Sequence, residues 1–161
     1  MKNYLLLLLL TITSVFVNAQ NKDAYFKDPK TDTYVGTWEG EFEGKTFTVT
    51  FVKYRKKLST GQRDQLAGKY TYKQGDKLLS GSDSLRDTLL RGLPDPKENF
   101  LTILMIDRVL DKNGRGSVSF VEGSKNKILW KLSDRDMFAL YPKKPIKGFS
   151  VPTNIVLVRT K

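Results

Sequence analysis

The sequence predicts an all-β fold: a single antiparallel up-and-down β-barrel of about 8–9 strands with one short helical segment. Three observations predict it. From Tyr34 onward, apolar and polar residues alternate with a period of two, and turn residues cut the alternation at short intervals. A tight turn at Glu43-Gly44 joins two runs whose faces match when the hairpin is closed on it. The runs then follow one another as a meander, and closing such a sheet into a barrel removes its exposed edges.

The first nineteen residues are an expected export signal. Met1 to Asn3 carry one positive charge, Tyr4 to Val17 are mostly apolar, and Val17-Asn18-Ala19 ends on small residues. The apolar run is shorter than the ~20 residues a membrane span needs. Cleavage is therefore expected after Ala19, leaving a secreted or periplasmic chain with no membrane span. Residues 20–33 are polar, with Asp28-Pro29-Lys30 among them, and are expected to be a flexible arm before a barrel domain at 34–161.

The first barrel strand places Tyr34, Gly36, Trp38, Gly40 and Phe42 on one face. Val35, Thr37, Glu39 and Glu41 take the other. Across the Glu43-Gly44 turn, the strand from Lys45 to Tyr54 sets Phe47, Val49 and Phe51 against Thr46, Thr48 and Thr50. Centring the hairpin on that turn opposes Gly36 to Phe51, Trp38 to Val49 and Gly40 to Phe47, so each glycine meets a phenylalanine. Gln65–Lys73 alternates again and turns at Gln74-Gly75 into Lys77–Ser82. Ser84 to Leu90 resembles a capped helical turn, with Leu85 and Leu89 four apart. Leu93-Pro94-Asp95-Pro96 is expected to be a loop. Phe100–Leu110 is apolar enough to be buried on both faces, and Asn113-Gly114 signals the turn into Gly116–Glu122. Lys127–Leu132, Met137–Tyr141 and Asn154–Arg159 supply the remaining strands, with a basic loop from Pro142 to Pro152.

Composition narrows the chemistry. The chain has 161 residues, 28 Lys+Arg against 17 Asp+Glu for a net charge of +11, and neither Cys nor His. Those two zeros exclude disulfides, thiolate nucleophiles, zinc-finger sites and any histidine general base. An enzyme is not expected, and neither a cofactor nor a metal site is predicted.

Gly36-Thr37-Trp38 on the first barrel strand resembles the Gly-x-Trp motif of the calycins, the group of lipocalins, fatty-acid-binding proteins and avidins. In that group a basic residue of the last strand covers the tryptophan and closes one barrel end, and Arg159 stands at a suitable place. The resemblance implies a barrel closure built from Gly36, Trp38 and Arg159. Lys45–Thr50 and Leu66–Tyr70 are similar to the avidin opening, but Lys45 stands where an avidin has serine and only two tryptophans exist. The leucine-rich signal, the Asn-Ala-Gln cut region and the Gly-Thr-Trp start also resemble small exported proteins of Bacteroidetes-type bacteria.

Two binding readings follow. In the first, Trp38, Phe47, Tyr70, Tyr72 and Trp130 face inward and line a pocket for a small, mainly apolar ligand. Inward glycines at 36, 40 and 68 would leave it room. The competing reading of the same residues is packed core. In the second, the barrel is filled and basic loops bind an anionic envelope surface, a glycan or a partner protein. Those loops carry Lys53, Arg55, Lys56 and Lys57, and Lys143, Lys144 and Lys147. No specific nucleic-acid binding is expected. Trp38 with Arg159 reads as a structural plug before a ligand site. Asp111–Glu122 has some calcium-loop spacing, but Arg115 occupies a ligand position and the flanks are strands, so a hairpin is expected. The carboxylate sets Asp83/Asp87, Asp134/Asp136 and Glu39/Glu41/Glu43 show no catalytic spacing.

Overall fold

Glu43 and Gly44 both take positive φ, 52° and 70°, the conformation that matches a two-residue turn to the twist of its strands. The hairpin they close has the expected register: Gly36 pairs with Phe51, Trp38 with Val49 and Gly40 with Phe47. This computed structural model describes residues 24–84, 86–95, 98–133 and 147–161. The expected signal, the turn at Asp134–Asp136, the strand Met137–Tyr141, and Lys143 and Lys144 lie outside them.

In chain order the elements are β1 (Tyr25–Phe26), α1 (Pro29–Tyr34), β2 (Gly36–Phe42), β3 (Lys45–Leu58), β4 (Gly61–Gln74), β5 (Lys77–Gly81), β6 (Leu90–Pro94), β7 (Phe100–Asp107), β8 (Lys112–Phe120), β9 (Lys127–Ser133) and β10 (Asn154–Arg159). Eight of the strands, β2-β3-β4-β6-β7-β8-β9-β10, form an antiparallel barrel that closes where β10 pairs with β2. The second edge of β4 is shared. Its start pairs with β1 in parallel, its middle with β6 and its end with β5. A closed eight-stranded antiparallel barrel is consistent with a calycin-like fold.

The interior is built by alternation. Trp38, Phe47, Val49, Phe51, Leu66, Tyr70, Leu90, Leu101, Ile103, Met105, Val118, Ile128, Trp130 and Leu157 point into it and are buried. Glycines sit beside these large residues across the strands, as at Gly68 between Phe51 and Leu90. The expected room at the glycines is not there. A methyl group on Gly40 would lie 2.6 Å from the Val156 carbonyl, and one on Gly68 2.8 Å from the Thr50 carbonyl. The glycines let neighbouring strands and rings approach closely instead of opening a cavity.

Several expectations are corrected. Within residues 20–33, Tyr25–Phe26 is a strand and Pro29 begins a helix. Asp28 caps that helix, accepting from the Lys30 amide at 3.0 Å, and Pro29 is pre-set for the first turn. The described part of Ser84–Leu90 is not helical: Leu90 opens β6, and Asp87 instead accepts from Ser82 Oγ (2.6 Å) and Arg108 (3.0 Å). Those two bonds, Ser82 foremost, hold its carboxyl below the usual value. Leu93-Pro94 belongs to β6 and pairs with β7. β7 is buried on one face, while Ile106 on the other is 45% exposed. The β7–β8 turn falls at 108–111, before Asn113-Gly114, because the Asp107 carboxylate accepts the Val109 and Leu110 amides and sets the turn there. Gly114 serves packing: a side-chain carbon on it would lie 2.5 Å from the Phe149 ring.

Candidate functional site

The Trp38 end of the barrel is closed by residues around its first and last strands, β2 and β10. Trp38 is fully buried, and its indole N–H donates to the Tyr34 carbonyl at 2.9 Å. Arg159 pairs with Trp38 across the β10–β2 seam and lays its guanidinium over the indole, 4.1 Å from the ring centre. The guanidinium also donates to the carbonyls of Val35 (2.7 Å) and Thr33. Gly36 has φ +130°, and a side chain there would run into the Lys161 carbonyl at 2.4 Å. Only glycine serves both demands. Gly36, Trp38 and Arg159 are thus brought together.

Phe47, Tyr70, Tyr72 and Trp130 are also brought together, in the core. Phe47 is the hub, with ring centres 6.1 Å from Tyr70, 6.1 Å from Tyr72 and 5.3 Å from Trp130. The polar atoms of these rings are met internally. Tyr70 donates to the Ile106 carbonyl (3.0 Å), Tyr72 to Phe42 (3.3 Å) and Trp130 to Pro152 (3.0 Å). Burial raises the Tyr70 phenol above its ordinary value. Phe47 meets Tyr72 and Trp130 edge to face and Tyr70 at a tilt, and these rings pack as part of the buried core.

A hollow of about 590 Å³ lies instead outside the plug, between α1, the start of β7 and the β8–β9 turn. Its floor is a stacked pair, Tyr34 and Phe120, with ring centres 4.9 Å apart. Phe120 also meets Trp38 edge-on at 6.0 Å, so the indole is one ring removed from the hollow. Phe100 and Val121 extend the apolar wall, and Thr33, Asn99, Glu122, Ser124 and Lys125 bring polar groups to it. Lys30 lines it too, but its ammonium donates to the Asp95 and Glu98 carbonyls at 3.3 and 3.1 Å. None of the five aromatics expected to line a pocket lines this hollow. Its residues come from three distant stretches, each ordinary by itself. The inward position of Tyr34, at the start of the alternation, is the one signal that pointed here.

The first basic cluster is not a loop, since β3 and β4 are each 14 residues long and run on through it. The alternation splits the cluster. Lys53 reaches Asp32 of α1, and that hydrogen bond raises its pKa. Arg55 lies over the Tyr25 ring at 4.1 Å, while Tyr25 donates to the buried Asp64 at 2.7 Å. Lys53 and Arg55 therefore hold the amino-terminal segment. Among the described residues, no ion pair involves Lys56 or Lys57. Lys147 is exposed.

A family model described as a family of unknown function (DUF6705) matches residues 1–90, and the chain belongs to that family. No curated protein and no solved structure matches the chain.

Proposed function

We propose that this DUF6705 member is an exported, non-enzymatic binding protein that takes a small amphiphilic molecule in the hollow outside Trp38. The observation that carries the reading is the apolar floor of Tyr34, Phe120 and Phe100 in a hollow of about 590 Å³. That size falls within the usual range of about 300–1,000 Å³ for small-ligand sites, and an apolar floor with a few polar groups is their usual lining. The ligand's apolar body rests on the rings, and its polar head faces Ser124 and Lys125. Support for export is the amino-terminal pattern from Met1 to Ala19, and the absence of His and Cys from the sequence supports the non-enzymatic part.

Two measurements test this. The mass of the secreted or periplasmic protein should correspond to a chain starting at Gln20; retention of Met1 would remove the export signal from the reading. Titration with dodecanoate should change tryptophan emission saturably, because Phe120 couples the hollow to Trp38. Phe100→Ala should weaken that binding about tenfold, a loss of about 1.4 kcal/mol, with the melting temperature little changed. Absence of saturable binding, or equal affinity in Phe100→Ala, would sink the assignment of the hollow.

A further inference from the structure

Beyond Phe51, the last β3 residue paired with β2, the β3–β4 hairpin continues through Val52–Leu58 and Gly61–Ala67. β1 is added to its β4 edge, with Phe26 paired to Arg63 and Arg63 paired to Lys56. Cross-strand partners share a face. One face of this extension therefore carries Phe26, Val52, Leu58, Lys56 and Arg63, with Tyr54 among them. Phe26, Val52 and Leu58 are 56%, 52% and 38% exposed. Arg63 and Lys56 stand between Phe26 and Leu58, while Lys57 is exposed on the opposite face of the tip. None of the residues that this face presents is acidic. Asp64 lies on the opposite face beneath Tyr25, and among the described ion pairs only Arg63–Asp28, at 3.8 Å, touches this one.

We infer that this face of the hairpin docks the protein on an anionic lipid bilayer. The argument is the combination. Cations alone fit any polyanion, but an acidic glycan gives no reason to expose Phe26, Val52 and Leu58. An anionic bilayer meets both demands. Its headgroups attract Lys56 and Arg63, and its acyl boundary accepts apolar side chains a few ångströms below. Lys and Arg lay their aliphatic stems along the apolar side chains while their charges stay with the headgroups. The tip is also built to hold its shape. Gly61, at φ +138°, lets β1 approach so closely that a side-chain carbon there would lie 2.3 Å from the Ala24 carbonyl. Phe26 is thereby fixed beside the turn. This inference does not rest on the hollow, which lies between α1, the β7 start and the β8–β9 turn and shares no lining residue with this face.

The test is flotation of the secreted or periplasmic protein, its amino terminus established by mass, with vesicles of three parts phosphatidylcholine to one part phosphatidylglycerol. The protein should float with these vesicles at about 0.1 M salt and stay behind with pure phosphatidylcholine. Lys56→Gln should weaken binding about fivefold. Phe26→Ser with Leu58→Ser should weaken it at least tenfold while leaving retention on heparin unchanged. Phe26→Trp should keep the binding, and brominated lipid should quench its emission. Failure to float with the anionic vesicles would overturn the inference. So would binding that depends on Lys56 but is indifferent to the Phe26/Leu58 pair, which would assign the face to a soluble polyanion. All variants should melt with the parent, because every changed side chain lies on the surface.

Discussion

Trp38→Ala should lower the melting temperature by roughly 10 °C or more. The indole is fully buried and contacts three things at once: the Arg159 guanidinium, the Tyr34 carbonyl and the Phe120 ring. Truncating a buried tryptophan costs about 3–5 kcal/mol through lost transfer energy and the cavity left behind. At a few degrees per kcal/mol for a domain of this size, that gives the stated shift. Two further variants separate the parts. Trp38→Phe keeps a ring under Arg159 but orphans the Tyr34 carbonyl, and should cost about 1–2 kcal/mol. In a double-mutant cycle, Trp38 and Arg159 should couple by about 0.5–2 kcal/mol, the range for a guanidinium on an indole. Denaturant unfolding measures all three. A melting temperature unchanged in Trp38→Ala would refute the plug. A fall in dodecanoate affinity with no fall in stability would assign Trp38 to the ligand instead.

The barrel was legible where two independent local rules agreed. At Glu43-Gly44 the turn chemistry and both strand faces demanded one register, and a one-residue slip would have put Phe47, Val49 and Phe51 in water. Asn113-Gly114 misled because only one rule spoke. The dipeptide favours a turn, but Asp107 six residues earlier captures the Val109 and Leu110 amides first. Nothing local marks Asp107 as buried, since its other partner, Ser150, is distant in sequence. The β3–β4 extension was hidden by its own composition. Lys53, Arg55 and Lys57 sit at the parity that is apolar inside the barrel, so the apolar alternation in the sequence stops at Tyr54. Lys53 and Arg55 occupy it because Asp32 and Tyr25 meet them there in place of a core. The interior glycines looked like room because sequence spacing shows the missing side chain and conceals the strand that moves into its place. The hollow is less legible still. Tyr34, Phe100 and Phe120 are joined by barrel closure, and only the closed sheet brings them to one end.

Asp107→Asn should destabilise the protein by about 2–4 kcal/mol, and Asp107→Ala by at least as much. The carboxylate is fully buried and accepts four bonds. Oδ1 takes the Val109 amide (3.1 Å), the Leu110 amide (3.2 Å) and the Ser150 hydroxyl (2.7 Å), and Oδ2 takes the Ser150 amide (2.7 Å). Hydrogen bonds to a charged group contribute about 1.5–3 kcal/mol each in favourable settings, and they are not additive. Asparagine keeps one acceptor oxygen but aims its amide at a second donor. Whichever way it turns, at least one amide loses its acceptor. The consequence extends beyond the turn. Ser150 is also linked to Ser80 of β5 at 2.7 Å, and its segment sets Phe149 against Gly114 and offers the Gly148 carbonyl to Lys112 at 2.8 Å. Asp107 thus fastens residues 148–150 across the barrel end opposite the hollow, since β7 runs from Phe100 to Asp107. Hydrogen exchange should show the Val109, Leu110 and Ser150 amides losing protection in Asp107→Asn before the β2–β3 hairpin does. Ser150→Ala should cost only about 1 kcal/mol, because its amide still reaches Oδ2. Dodecanoate affinity, measured well below the melting temperature, should stay at the parent value in both variants. A change of less than about 0.5 kcal/mol in Asp107→Asn would mean that water, not the carboxylate, satisfies these amides. The fastening of the loop to the barrel would then need another cause.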